Sequence, residues 1–129
     1  MMTASKRVVD SSGWLEYFAG SDRADLYADA IEDTDSLIVA AISLFEVFKR
    51  VCAQRGESLA LQAVAHMQMA TVAAVDTPLA IEAARLSVTH RLPMADALIY
   101  ATAKQHDAIL LTQDADFKGL EGVSYFPRS

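Results

Sequence analysis

Five carboxylates stand out where this sequence could do chemistry: Asp10, Glu46, Asp96, Asp114 and Asp116. Asp96 is the sharpest case. It is the lone charge between Arg91 and Lys104, in Leu92-Pro93-Met94-Ala95-Asp96-Ala97-Leu98-Ile99-Tyr100-Ala101-Thr102-Ala103, whose alanines and large apolar side chains read as a buried helix. An unpaired ion there costs on the order of several kcal/mol, so the residue needs a cation, a donor cluster or a bound proton. Asp10 ends the apolar run Val8-Val9, Glu46 opens an amphipathic stretch, and Asp114 with Asp116 follows Ala108-Ile109-Leu110-Leu111-Thr112. Carboxylates drawn together repel one another, and the usual remedy is a hard divalent cation bound through oxygen. A metal site assembled from distant acids is the leading chemical expectation.

The elements that must position these acids follow from hydrophobic periodicity and punctuation. Lys6 to Asp10 reads as a first strand ending in an acid; Ser11, Ser12 and Gly13 form a tight exit that can cap a short helix, Trp14 to Phe18. A second helix runs from about Arg23 to Glu32, with Leu26, Ala30 and Ile31 as its apolar side, before a solvated acidic turn at Glu32, Asp33 and Asp35. Leu37 to Ala41 is a continuous apolar run, as in a strand covered on both faces. Ser43-Leu44-Phe45-Glu46 matches a capping box with Ser43 as N-cap, opening a helix that ends near Arg55-Gly56. A further helix spans roughly Ser58 to Met69, and Thr71 to Val75 is a third strand. Thr77-Pro78, a capping hydroxyl followed by proline, starts a helix to about His90. Pro93 separates it from the next, placing Asp96 in a first turn where the macrodipole favours negative charge. Ala108 to Leu111 is the fourth strand, Thr112 to Gly119 a loop, and Val123 to Tyr125 a short edge strand before Pro127.

The order β-α-α-β-α-α-β-α-α-β-β defines an α/β three-layer sandwich, with a mainly parallel four- or five-stranded sheet flanked by helices and one domain across residues 1–129. Ligands of such sheets bind at the carboxyl ends of the strands. Asp10 and Asp114 fall at those ends, and Glu46 and Asp96 in first turns on the same rim. Structural readings compete. The capping box accounts for Glu46 by itself, and Asp10 and Asp114 also suit ordinary turns, as does Asp116. Ser11, Ser12 and Thr112 could position a ligand or simply cap. His66, His90 and His106 form no ligand spacing and are read as structural.

Composition narrows the field. A length of 129 residues with 53% hydrophobic content is enough for a core. The net charge of −6 argues against nonspecific DNA coating, which runs on clustered Lys and Arg. It does not exclude a nuclease, because a bound cation reverses the local field. The single Cys52 rules out an internal disulfide. No apolar run approaches the roughly 20 residues of a membrane helix, and Met1-Met2-Thr3-Ala4-Ser5-Lys6-Arg7 has no apolar region behind it. The expectation is a soluble, cytoplasmic protein with no membrane partner.

Val8-Val9-Asp10-Ser11-Ser12, Ser43-Leu44-Phe45-Glu46-Val47, the Asp96 helix and Leu111-Thr112-Gln113-Asp114-Ala115-Asp116-Phe117, taken in order, resemble the PIN-domain family. More narrowly they resemble the VapC-type ribonuclease toxins of toxin–antitoxin pairs. That resemblance implies an endoribonuclease dependent on Mg²⁺ or Mn²⁺, leaving a 5′-phosphate and a 3′-hydroxyl. It also implies a homodimer, a cognate antitoxin that inserts a basic side chain near the acids, and an RNA substrate such as tRNA or rRNA. Asp10, Glu46, Asp96 and Asp114 match the family's acidic quartet, with Asp116 as a supporting ligand. Arg7, Lys49, Arg50 and Lys104 are candidate phosphate contacts, with a solvated surface position the favoured reading for any one of them, and Trp14, Leu15, Phe18 and Leu26 are candidate partner contacts or, by default, core. The alternative is a PIN-like RNA-binding or RNA-processing module with weak or no nuclease activity. An Mg²⁺-binding receiver domain would want an acidic pair where Asp10-Ser11-Ser12 stands and a lysine after the late strand. An Asp-x-Asp phosphohydrolase fails at Ser12.

Overall fold

The central strands are buried on both faces, and their alternate side chains enter two different core layers. In the computed structural model, which describes residues 5–128, Val8, Ile38, Ala40 and Leu110 face one side of a sheet. Val9, Leu37, Val39 and Leu111 face the other. The reading of Met1 to Ala4 lies outside the described residues. The strands are β1 (Arg7–Val9), β2 (Leu37–Ala40), β3 (Thr71–Ala73), β4 (Ile109–Thr112) and β5 (Val123–Tyr125). All pair in parallel, in the order β3-β2-β1-β4-β5. The helices are α1 (Ser11–Ala19), α2 (Asp25–Glu32), α3 (Ala41–Arg55), α4 (Glu57–Met67), α5 (Thr77–His90) and α6 (Met94–Gln105), with a 3₁₀ turn at Ala115–Phe117.

The chain first moves outward from β1 to β2 and β3, then returns across the sheet to β4 and β5. Because parallel crossovers keep one hand, the reversal moves the helices to the opposite face. Accordingly α1 to α4 supply Trp14, Tyr27, Ile31, Val47 and Met67 to one core layer. The other layer takes Leu79, Ala83 and Leu86 from α5 and Ala97, Ile99, Tyr100 and Ala103 from α6. The connections leaving β1 and β4 diverge, and a crevice opens between their carboxyl ends, the usual ligand position in a doubly wound sheet. Among the described residues, no helix is long and apolar enough to cross a membrane.

Several local expectations shift. The first helix starts at Ser11, capped by Asp10 and not by a serine. Gly13 sits so close to the sheet that a Cβ there would lie 2.6 Å from Tyr27 Cε1 and 2.7 Å from Val9 Cγ1. In α2 Ala30 and Ile31 are buried as expected, but the third core residue is Tyr27, while Leu26 is 40% exposed. Asp76, not Thr77, caps α5, its Oδ1 accepting from Leu79 N at 3.0 Å. The largest change concerns α3. It begins at Ala41 directly from β2, so the Ser43 capping box does not form and Ser43 is buried inside the helix. Glu46 accordingly falls in the second turn.

Candidate functional site

Asp10 is the deepest of the five acids, 4% exposed where β1 gives way to α1. Its Oδ1 accepts from Ser11 N at 2.8 Å. Its Oδ2 accepts from Thr112 Oγ1 at 2.8 Å and from Ser12 Oγ at 3.4 Å. Burial pushes its pKa up to about 6; the Thr112 and Ser11 hydrogen bonds pull the other way, and repulsion from Asp114 and Glu46 adds to the rise. Thr112 ties two acids together, since the same Oγ1 accepts from Asp114 N at 2.9 Å. Asp114 in turn caps the 3₁₀ turn, its Oδ1 accepting from Asp116 N at 2.9 Å.

Asp96 reaches the same crevice from the opposite core layer. It lies in the first turn of α6, whose N-cap, Pro93, provides no side-chain hydrogen bond. One carboxylate oxygen from each of Asp96, Asp114 and Asp116 falls within 4.8 Å of the others. Burial first, then the charges of Asp114, Asp10 and Asp116, push the Asp96 pKa up to about 8. The ion pairs found among the described residues, Arg7–Asp33, Arg23–Glu16 and Arg85–Glu82, involve none of the five acids.

Glu46 arrives through a relay of hydroxyls. Ser11 Oγ lies 2.7 Å from Glu46 Oε1 and 2.9 Å from Ser43 Oγ. With one proton to give, Ser11 donates to the carboxylate, leaving Ser43 to donate to Ser11. Asp10, Ser11, Ser12, Glu46, Asp96 and Asp114 line a cleft of about 810 Å³. Four acids expected on one rim thus do share one cleft. Asp116 is exposed and approaches only the Asp96–Asp114 side.

Of the candidate phosphate contacts, Lys49 and Arg50 line the cleft. Arg7 does not: it opens β1 at the other end of the sheet and pairs with Asp33 at 3.2 Å. Nor does Lys104, which lies in the last turn of α6 and sits 5.1 Å over the Tyr100 ring. Trp14 is wholly core, whereas Leu15 and Phe18 line a second groove of about 520 Å³ beside α3 and α4. His66 packs edge-on against Trp14, Tyr17 and Phe18, in keeping with a structural role.

Sequence reasoning missed Phe45, Tyr125 and Arg128, which also line the cleft, and a clamp beside it. Buried Gln113 donates through Nε2 to Glu16 Oε2 at 3.0 Å and accepts from Arg23 Nε. Arg23 also donates to the Phe126 carbonyl at 3.0 Å. The Gln113 amide, ahead of other influences, holds the Glu16 carboxyl below its ordinary pKa. The only sequence signals were a polar residue between Thr112 and Asp114 and a basic one beyond the last strand.

A doubly wound parallel sheet with a carboxylate-lined cleft at its switch point defines the class. The model of the PIN domain matches residues 7–123, and the chain belongs to that family. Among solved structures it is similar to a toxin–antitoxin complex from Klebsiella pneumoniae, with 22% identity over 95% of this chain and 100% of that one and a TM-score of 0.81. The DNA-bound VapBC of Salmonella typhimurium gives 14% identity, 96% and 98% coverage and a TM-score of 0.72. Mycobacterium tuberculosis VapC20, a sarcin–ricin loop cleaving toxin, gives 19%, 88% and 92%, and 0.69. At such identities the likeness is one of fold. No curated protein matches the sequence significantly.

Proposed function

We propose that this protein is an endoribonuclease dependent on Mg²⁺ or Mn²⁺, and the toxin of a type II toxin–antitoxin pair. The observation that carries the reading is the carboxylate trio of Asp96, Asp114 and Asp116 within 4.8 Å, in no ion pair among the described residues and set beside buried Asp10. An all-oxygen donor set of this charge fits a hard divalent ion. Asp10, Asp96 and Asp114 would hold it, with Asp116 in support, and Glu46 completes the acidic quartet. When bound, the cation supplies an acidified water and positive charge at the scissile phosphate. Glu46, fixed by Ser11, lines the cleft, where its carboxylate would be free to orient a nucleophile or accept a proton. Lys49 and Arg50 line the cleft to meet the flanking phosphates.

The toxin role rests on likeness to toxin–antitoxin complexes and to a toxin that cleaves the sarcin–ricin loop. By that analogy the substrate is a structured RNA such as tRNA or rRNA, the partner is an antitoxin, and the protein acts as a cytoplasmic homodimer. Leu15 and Phe18, in the second groove, are candidate antitoxin contacts. The test is cleavage of a mixed cellular RNA pool by antitoxin-free protein, with Mg²⁺, Mn²⁺ or chelator, beside a folded Asp96→Asn variant. Metal-dependent cutting lost in the variant is the expected result. Equal behaviour of the two proteins would refute it and favour a PIN-like RNA-binding module.

A further inference from the structure

Phe45 is 61% exposed although it adjoins Glu46 and lines the acidic cleft. The first turns of α3 pack on the core through Ser43 and Val47, which leaves Phe45 on the outer side of the helix. One turn further along, Lys49 Nζ lies 5.9 Å from the centre of the Phe45 ring. Two rows of side chains thus run along α3 into the cleft: Phe45, Lys49 and Ala53 in one, Glu46 and Arg50 in the other. Tyr125, at the end of β5, and Arg128 also line the cleft, from the C-terminal segment. An aromatic face and two cations within two helical turns match the parts of a nucleotide unit, a flat apolar base with a phosphate on either side, and they stand beside the Glu46 carboxylate of the cleft.

We propose that Phe45 is a stacking platform for an unpaired nucleobase next to the scissile phosphate, with Lys49 and Arg50 holding the neighbouring phosphates. The proposal rests on the reading of the cleft as an RNA-cleaving site. The platform requires a base that is free to leave its stack, as in a loop or at an unpaired end. A base held in a duplex has both faces covered by its neighbours and cannot lie on the ring. Stacking tolerates any base, so Phe45 favours strand state over sequence.

Phe45→Trp reports on this directly. It keeps an aromatic face, and Trp14, the only native tryptophan, is fully buried and supplies a constant background. In an Asp96→Asn background, where the strand stays uncut, single-stranded oligouridylate is expected to quench the new tryptophan. The same strand annealed to its complement is expected to leave it unchanged. Phe45→Leu, which retains apolar bulk without the π face, is expected to bind the single strand about 5- to 100-fold more weakly. In the cleaving protein that loss falls mainly on KM, and Phe45→Trp restores it, while the thermal shift produced by Mn²⁺ stays at the wild-type value in both variants.

An unmoved tryptophan signal with binding intact, or a wild-type KM in Phe45→Leu, overturns the platform even if the wild type cleaves RNA. Quenching in a protein that cleaves nothing leaves the platform standing and removes the nuclease. If Phe45→Leu loosens only a bound protein partner and leaves RNA affinity unchanged, the ring is a protein contact and the proposal fails.

Discussion

Replacing Asp96 with Asn should make the metal-free protein more stable, although it removes a side chain from the centre of the site. Burial and the charges of Asp114, Asp10 and Asp116 push the Asp96 pKa up to about 8, against 3.8 for a free side chain. Between those values the folded protein keeps a proton that the unfolded chain has released. Stability therefore falls as pH rises through this window: the contribution is complete below pH 4 and gone above pH 8. At about 1.4 kcal/mol per pH unit, the span caps the loss at roughly 6 kcal/mol. Water reaching the half-buried carboxyl screens this to about 2 kcal/mol. Asn keeps the shape and cannot ionise, so the variant should escape that loss. At roughly 3–6 °C per kcal/mol for a chain of this size, its Tm in chelator should exceed wild type by about 6–12 °C at pH 8.5 and match it near pH 4.

The assay is thermal unfolding followed by circular dichroism from pH 4 to 8.5 in chelator, then with Mn²⁺ added. A cation held by the native site stabilises wild type by about 2.7 kcal/mol at one hundred times its Kd. The variant, lacking one carboxylate, should gain far less. An Asp96→Asn protein less stable than wild type at pH 8.5 in chelator, or one with the same slope against pH, would refute the crowding argument.

Thr112→Val keeps the volume but removes the hydroxyl that donates to Asp10 and accepts from Asp114 N. Denaturant unfolding should show a loss of about 1–3 kcal/mol, and Mn²⁺ titration by calorimetry a weaker site, because two acids lose their common tether. Gly13→Ala should cost about 1–3 kcal/mol in the same unfolding assay. The added Cβ meets the Tyr27 ring and the Val9 side chain at 2.6 and 2.7 Å, and both of those side chains are fully buried in the core. A neutral Gly13→Ala would mean that α1 packs less tightly on β1 than described.

What could be read from the sequence was what is local. The apolar run of β2, the proline and glycine punctuation and the alternation of strand and helix gave the element order, because each is set by neighbours in the chain. Gathering the acids on one rim needed only the rule that parallel strands share a direction. The errors came where two elements meet without a linker. Ser43 looked like a cap because a loop was assumed between strand and helix. Ala40 is extended at φ −70°, ψ 131°, and helix begins with the next residue. The hydroxyl is therefore turned inward, where Ser11 uses it. That Arg7 and Lys104 stand away from the cleft was already implicit in the chain order, which puts Arg7 at the start of β1 and Lys104 in the last turn of α6, both remote from the carboxyl-end rim. The Gln113–Arg23 and Gln113–Glu16 hydrogen bonds span 90 and 97 residues, and no local pattern announces contacts of that range.

The architecture accounts for the site's position as well as its composition. Asp10 and Asp114 follow the two strands that flank the switch point, β1 and β4, where neither outgoing connection covers the sheet end. Asp96 comes from the other core layer, anchored by an α6 that is buried from Ile99 through Ala103. The carboxylates therefore approach from rigid elements on both sides of the crevice, and their repulsion cannot be relieved by small side-chain movements. Thr112 holds Asp10 and Asp114 together, Ser11 holds Glu46, and the core behind α6 prevents Asp96 from withdrawing. Two remedies remain at neutral pH, a retained proton or a bound cation, and they compete for the same oxygens. Cation affinity should consequently rise with pH as Asp10 and Asp96 ionise. The cation should restore the stability that rising pH removes, so the Tm of the metal-bound protein should vary less with pH than that of the metal-free protein.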